Sequence, residues 1–237
     1  MKMHLLLLVA IIIMAISALA GCAGWFTALN GEKLGRYTYI QRPAYVGYPI
    51  RTIPIWIDKN FGEADLLEID RAVNSWNYVL NGYIKLQIVD TKFDMQIDRI
   101  VKRVRENGWL FMKIDGKSSL VPGPTDPHDW SIGFAERIGG NHLYLVRERL
   151  HNDWVYGVTM HEIGHLLGSP HIGNRLMYPR MTRSRYQCVD FDTMWTVAVY
   201  NGISPDLLNY CVDGVKQVDS KPADNTTVET ISCPTDK

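Results

Sequence analysis

The chain has 237 residues, 46% of them hydrophobic, and its 25 basic side chains are matched by 25 acidic ones. That balance excludes a partner held by net charge, so neither nucleic acid nor a charged membrane surface is implied. No internal repeat or long low-complexity run appears, and the part past Gly21 is the size of one domain with short tails, enough to bury a sizeable core.

Residues 1–20 hold an early Lys2, an almost wholly apolar run from Leu5 to Ala15, and then small residues. That is the layout of a secretory signal, and the run is shorter than the ~20 apolar residues a spanning helix needs. Leu19-Ala20-Gly21-Cys22 resembles the lipobox of bacterial lipoproteins. The resemblance implies that 1–21 is a lipoprotein signal peptide and that Cys22 carries lipid. It also implies that the exported protein is anchored to the cell membrane or outer membrane of a bacterium. A plainly cleaved or an uncleaved signal is the alternative. Residues 22–49 then form an N-terminal lead or tether, 50–211 the folded domain, and 212–237 a polar tail. An exported protein meets an oxidising compartment, so one disulfide is expected among the remaining cysteines. Cys188 and Cys211 bracket one predicted helix and are the preferred pair, with Cys233 left as an odd thiol; spacing alone does not fix the connectivity.

Within the domain, Ile53, Ile55 and Ile57 alternate as a strand, and Gly62 closes it. Leu66, Ile69, Val73, Trp76 and Leu80 recur at helical spacing, predicting an amphipathic helix. Ile84, Leu86 and Ile88 alternate again. Lys92–Arg105 is a short helix or a loop, Trp109–Ile114 a strand, Gly116–Asp129 a loop, and His142–Val146 a further strand. Trp154–Gly168 is helical by pattern and stops at a glycine. Residues 174–185 show no period, and Asp192–Asn201 reads as another helix. Ser204-Pro205 offers an N-cap with proline at the first helical position, opening a short last helix. The order predicts an α+β layout around one mixed sheet.

His161-Glu162-Ile163-Gly164-His165-Leu166-Leu167-Gly168-Ser169-Pro170-His171 carries the chemistry. Residues four apart share a helix face, so His161 and His165 can aim at one metal ion, while Glu162, one residue on, is placed as a base rather than a ligand. Gly168 lets the chain turn so that His171 swings back as a third ligand. Three imidazoles and one open position suit a catalytic zinc; a structural zinc is closed by four protein ligands. A bare HExxH arises by chance in roughly one chain of this length in a hundred. Requiring Gly168 and His171 as well lowers that by about two to three orders of magnitude. The bland reading is two surface histidines on a helix.

His161 to His171 matches the HExxHxxGxxH signature of the metzincins. Leu176-Met177-Tyr178-Pro179 resembles that family's Met-turn, most closely in the matrixins, and the likeness runs from about Ile50 to Asn201. The resemblance implies a zincin catalytic domain with a mixed twisted sheet, an active-site helix and a C-terminal helix. It implies one catalytic zinc on His161, His165 and His171, Glu162 as general base, and Met177 as an apolar floor. The activity implied is hydrolysis of peptide bonds in a protein or peptide substrate by a zinc-activated water, with the chain acting as a monomer. The strand His142–Val146, with Leu143 and Tyr144, would pair with an extended substrate, and Pro179 and Met181 would line the primed-side pocket. Matrixins usually have a tyrosine where Met181 stands, and the interval from His171 to Met177 is short. No zinc-approaching role passes to Tyr178. A second, structural zinc or calcium would use His128, Asp129 and His142, but Gly133-Phe134-Ala135 lacks the histidine expected there, so one zinc is expected. Cys22–Pro49 is too short for an inhibitory pro-domain. Two other classes remain: a surface lipoprotein that binds zinc for adhesion or exclusion without cutting, and a zinc hydrolase of a non-peptide bond.

Overall fold

The computed structural model describes residues 34–94, 106–122, 131–151, 154–173, 175–179, 188–213 and 232–234. The segment 1–21 expected to be a signal, Cys22, His128, Asp129 and Met181 lie outside them. Among the described residues, no helix is long and apolar enough to cross a membrane.

A five-stranded sheet is built from β2 (Arg51–Asp58), β3 (Ile84–Phe93), β4 (Trp109–Ile114), β5 (Gly133–Ala135) and β6 (His142–Val146), in the order β3-β2-β4-β6-β5. β2 runs parallel to β3 and β4, β4 parallel to β6, and β5 antiparallel to β6. The sheet is therefore mixed, as its alternating strands and helices predict. Ile53, Ile55 and Ile57 of β2 all face the same way and are wholly buried. On that face lie α1 (Glu63–Val79) and α2 (Val155–Leu166), whose Ile69, Val73, Trp76 and Ile163 join the isoleucines in the main core. β4 is buried on both faces: Trp109 and Phe111 enter the main core, while Leu110, Met112 and Ile114 form a second cluster with Phe93, Tyr144 and Val146.

α1 begins after Gly62, whose N–H donates to the Asp65 carboxylate at 3.1 Å. Lys113 pairs with the same carboxylate, and both side chains are largely buried. Inside the core, Trp76 Nε1 donates to the Met160 carbonyl at 2.9 Å, tying α1 to α2.

A second, three-stranded sheet departs from the single sheet expected. Its centre is β1 (Leu34–Ile40), antiparallel to β7 (Tyr210–Asp213) on one side and β8 (Ser232–Pro234) on the other. β1 thus comes from the span read as a lead, and Val212, Asp213 and β8 from the span read as a polar tail. Cys233 pairs in register with Gly35.

α3 (Phe191–Tyr200) follows its sequence signal, with Asp190 as N-cap accepting from Thr193 N at 3.1 Å. The segment opened by Ser204-Pro205 shortens to a single turn, Pro205–Leu207, before β7. Cys188 and Cys211 are bridged across α3 and buried against Tyr39. Closing a loop with a sequence separation of 23 constrains the unfolded chain by roughly 3 kcal/mol in the chain-entropy account.

Candidate metal centre

α2 is buried along its whole length, so each polar group it carries needs a partner inside the protein or a ligand. His161 Nδ1 donates to the Leu176 carbonyl at 2.6 Å, and His165 Nδ1 to the Ser169 carbonyl at 2.8 Å. With the proton fixed on Nδ1, each neutral ring keeps a lone pair on Nε2, the form in which imidazole binds metal. Gly168 ends the helix with φ +99°, a conformation glycine adopts without steric cost, and the chain doubles back to His171.

The three Nε2 atoms converge: His171 Nε2 lies 3.3 Å from that of His161 and 3.2 Å from that of His165. Corners of a tetrahedron around an ion with metal–nitrogen bonds of ~2.0–2.1 Å, the zinc values, are about 3.3–3.4 Å apart. Those two separations match a zinc-sized ion, all three ligand atoms lie within 4.8 Å of one another, and these three histidines can hold a metal ion. Burial, with repulsion from His165, holds the His161 pKa down to about 3. Burial lowers His165 and His171 as well. All three rings thus stay neutral near pH 7.

Met177, fully buried, comes from the turn that also supplies the Leu176 carbonyl. A Cβ on Gly164 would lie 2.5 Å from Met177 Sδ and 3.4 Å from the Trp76 ring. The absence of a side chain at Gly164 is thus what lets the thioether pack directly against α2. The turn's two jobs, packing under the helix and orienting the first ligand, come from adjacent residues.

No family model matches this sequence, and no curated protein matches it. Among solved structures, the crystal structure of metalloproteinase-II from Bacteroides fragilis is a distant neighbour. It is 19% identical, with a TM-score of 0.40, over 72% of this chain and 58% of that one. That neighbour is a metalloproteinase. The chain spans little more than half its length.

Glu162 is 5% exposed. Its carboxyl accepts the backbone N–H of Ala135, while Oε2 is buried with no partner. Burial pushes its pKa up to about 8, against the Ala135 hydrogen bond, which lowers it. A carboxyl whose folded pKa exceeds its unfolded one stabilises the fold fully below the unfolded value, and that stability is lost as pH rises through the folded value. His161 acts oppositely and is fully favourable above about pH 6.5. Between about pH 6.5 and 8, then, the Glu162 carboxyl alone of these two changes the balance. The metal-free protein is expected to lose stability over that interval, and Glu162→Gln to flatten the decline. Thermal melts in chelator at the two pH values measure it; the same slope in the variant would contradict the assignment.

The expected substrate strand needs correction. β6 is hydrogen bonded to β4 on one side and β5 on the other, and Leu143 and Tyr144 are buried. Neither offers a free edge to a peptide. The open edge among the described residues at this end of the sheet is that of β5, beside Glu162 through Ala135. Pro179 is exposed two residues past Met177. His142 Nδ1 lies 2.9 Å from Glu136 Oε2, so its ring is engaged by a carboxylate of the β5–β6 connection.

Sequence reading missed Ala135 and the carbonyls of Ser169 and Leu176. The last two are main-chain groups with no signature in residue type. Ala135 sits in a three-residue strand, too short for alternation to register.

Proposed function

We propose that the protein is a zinc-dependent endopeptidase, a matrixin-like metzincin carried on a lipoprotein. The observation that carries the reading is the convergence of three neutral imidazoles, together with a buried carboxyl oxygen left unused on Glu162, the residue after His161. His161, His165 and His171 would hold the zinc. Zinc bound there supplies a Lewis acid that polarises a carbonyl, makes water more acidic, and draws Glu162 toward its ionised form.

The rest falls to the chain's own groups. Glu162 Oε2 takes the proton of the attacking water and returns it to the leaving nitrogen. The Ala135 N–H holds the carboxyl in place meanwhile. The outer edge of β5 receives an extended peptide by strand addition, and the exposed Pro179 flanks the primed side. A role limited to binding leaves the unpartnered Oε2 without use.

The reading is tested by zinc content together with cleavage of a peptide library by the parent and by Glu162→Gln. A zinc-loaded parent that cleaves no peptide overturns it.

The signal pattern and lipobox support export and anchorage at a bacterial membrane, with the catalytic domain meeting its protein substrate as a monomer. Labelled fatty acid is expected to enter the parent and not Cys22→Ser; equal labelling of the two overturns the anchor.

A further inference from the structure

Ser169 stands between the second and third histidines and is fully buried. Its N–H donates to the Gly164 carbonyl at 2.9 Å, and its carbonyl accepts from His165 Nδ1 at 2.8 Å. Its hydroxyl lies 2.8 Å from Thr196 Oγ1 on α3, with a longer contact of 3.3 Å to the Pro170 carbonyl. Thr196 spends its own proton on the Thr193 carbonyl at 2.8 Å. Because the Pro170 contact is the longer of the two open to the Ser169 proton, both short 2.8 Å contacts are satisfied when Ser169 donates to Thr196 and Thr196 to Thr193.

Just past the end of α3, Asn201 Nδ2 donates to the Leu167 carbonyl at 2.9 Å and to the Val197 carbonyl at 2.8 Å. One amide thus closes the end of α3 and grips the end of α2. The Tyr200 ring lies against Gly168. Three consecutive residues, Leu167, Gly168 and Ser169, are each held by a different side chain of this region. They are the residues that carry the chain from His165 toward His171.

We propose that Thr196 and Asn201 are positioning residues for the metal centre. They fix Leu167–Ser169 against α3. Through the Ser169 carbonyl they set the tautomer and orientation of His165, and through the fixed turn they set the approach of His171. This rests on the metal-binding part of the function proposed above and not on peptide cleavage. A ligand-orienting hydrogen bond at one remove from the ion typically governs affinity by about 10- to 100-fold.

The test is the zinc dissociation constant, by competition with a chromogenic chelator, alongside the visible spectrum of the cobalt(II)-loaded protein. Thr196→Val keeps the shape and removes the acceptor. It is expected to weaken zinc binding about 10-fold or more and to alter the cobalt bands; the unpaired Ser169 hydroxyl also lowers the Tm of the metal-free protein, but a purely structural role would leave the cobalt bands unchanged. Thr196→Ser restores the hydroxyl and the affinity. Ser169→Ala removes the donor from the other side and is expected to reproduce the loss. In the double variant the losses do not add, because both changes break one contact. Parent-like affinity in both Thr196→Val and Ser169→Ala overturns the proposal, as does a loss in Thr196→Ser equal to that in Thr196→Val. Intact zinc sensitivity without peptide cleavage overturns only the peptidase reading. A parent that binds no zinc overturns both.

Discussion

Replacing Glu162 with glutamine is expected to leave zinc content unchanged and to lower kcat for peptide cleavage by about two to four orders of magnitude, the usual worth of a positioned acid–base group. Glutamine has the same shape and can still accept the Ala135 N–H, so the pocket around this 5% exposed side chain stays filled. His161 and His165 are oriented by the carbonyls of Leu176 and Ser169, not by Glu162, so metal binding does not depend on the carboxyl. What is removed is the atom that takes and returns a proton. Since that transfer occurs on the way to the transition state, kcat should fall with little change in KM. A variant within about ten-fold of the parent would remove Glu162 from the role of base, because general acid–base contributions fall below that only when the group is peripheral.

Gly168→Ala is expected to be the most damaging small substitution near the centre, costing about 2–5 kcal/mol as backbone strain adds to overpacking. The strain follows from φ +99°, outside the range an alanine adopts freely. The overlap follows from the Tyr200 ring, which occupies the space a Cβ would take. Tyr200 is 56% exposed, but the atoms a Cβ would meet include Cγ at the root of its ring, so the whole side chain has to turn to relieve the overlap. Denaturant unfolding of the metal-free protein measures the total. In Gly168→Ala/Tyr200→Ala the overlap is gone and roughly 1–3 kcal/mol of strain should remain beyond the cost of Tyr200→Ala alone. A single variant as stable as the parent would mean that the turn relaxes, and the fixed path to His171 with it.

The elements legible in the sequence are those whose signal is local. Ile69, Val73, Trp76 and Leu80 repeat at helical spacing because one side of α1 faces the core, and all four are buried. Ile53, Ile55 and Ile57 alternate for the corresponding reason in β2. The three histidines that could hold a metal were legible as a group because their spacing is a property of a single helix and the turn after it. Sheet order was not. The strand His142–Val146 lies where its pattern predicts, yet nothing within it reveals that β4 and β5 occupy both its edges. The pairing of Tyr37 with Asp213 joins segments at opposite ends of the chain, and neither segment carries a strong alternation. The groups that orient the histidines are carbonyls, identical in every residue type.

The brevity of β5 has a consequence of its own. An unpaired strand edge invites other chains to add to it, and proteins commonly blunt such edges by keeping them short or charged. β5 spans Gly133–Ala135 and is followed at once by Glu136 and Arg137, so it satisfies both conditions. It can template very little sheet growth, which favours a dispersed, non-aggregating surface. The same shortness limits how firmly any guest strand is gripped by main-chain contacts alone. Under the proposed peptidase reading, discrimination between substrates would then fall to side-chain pockets, and a cut strand would leave quickly.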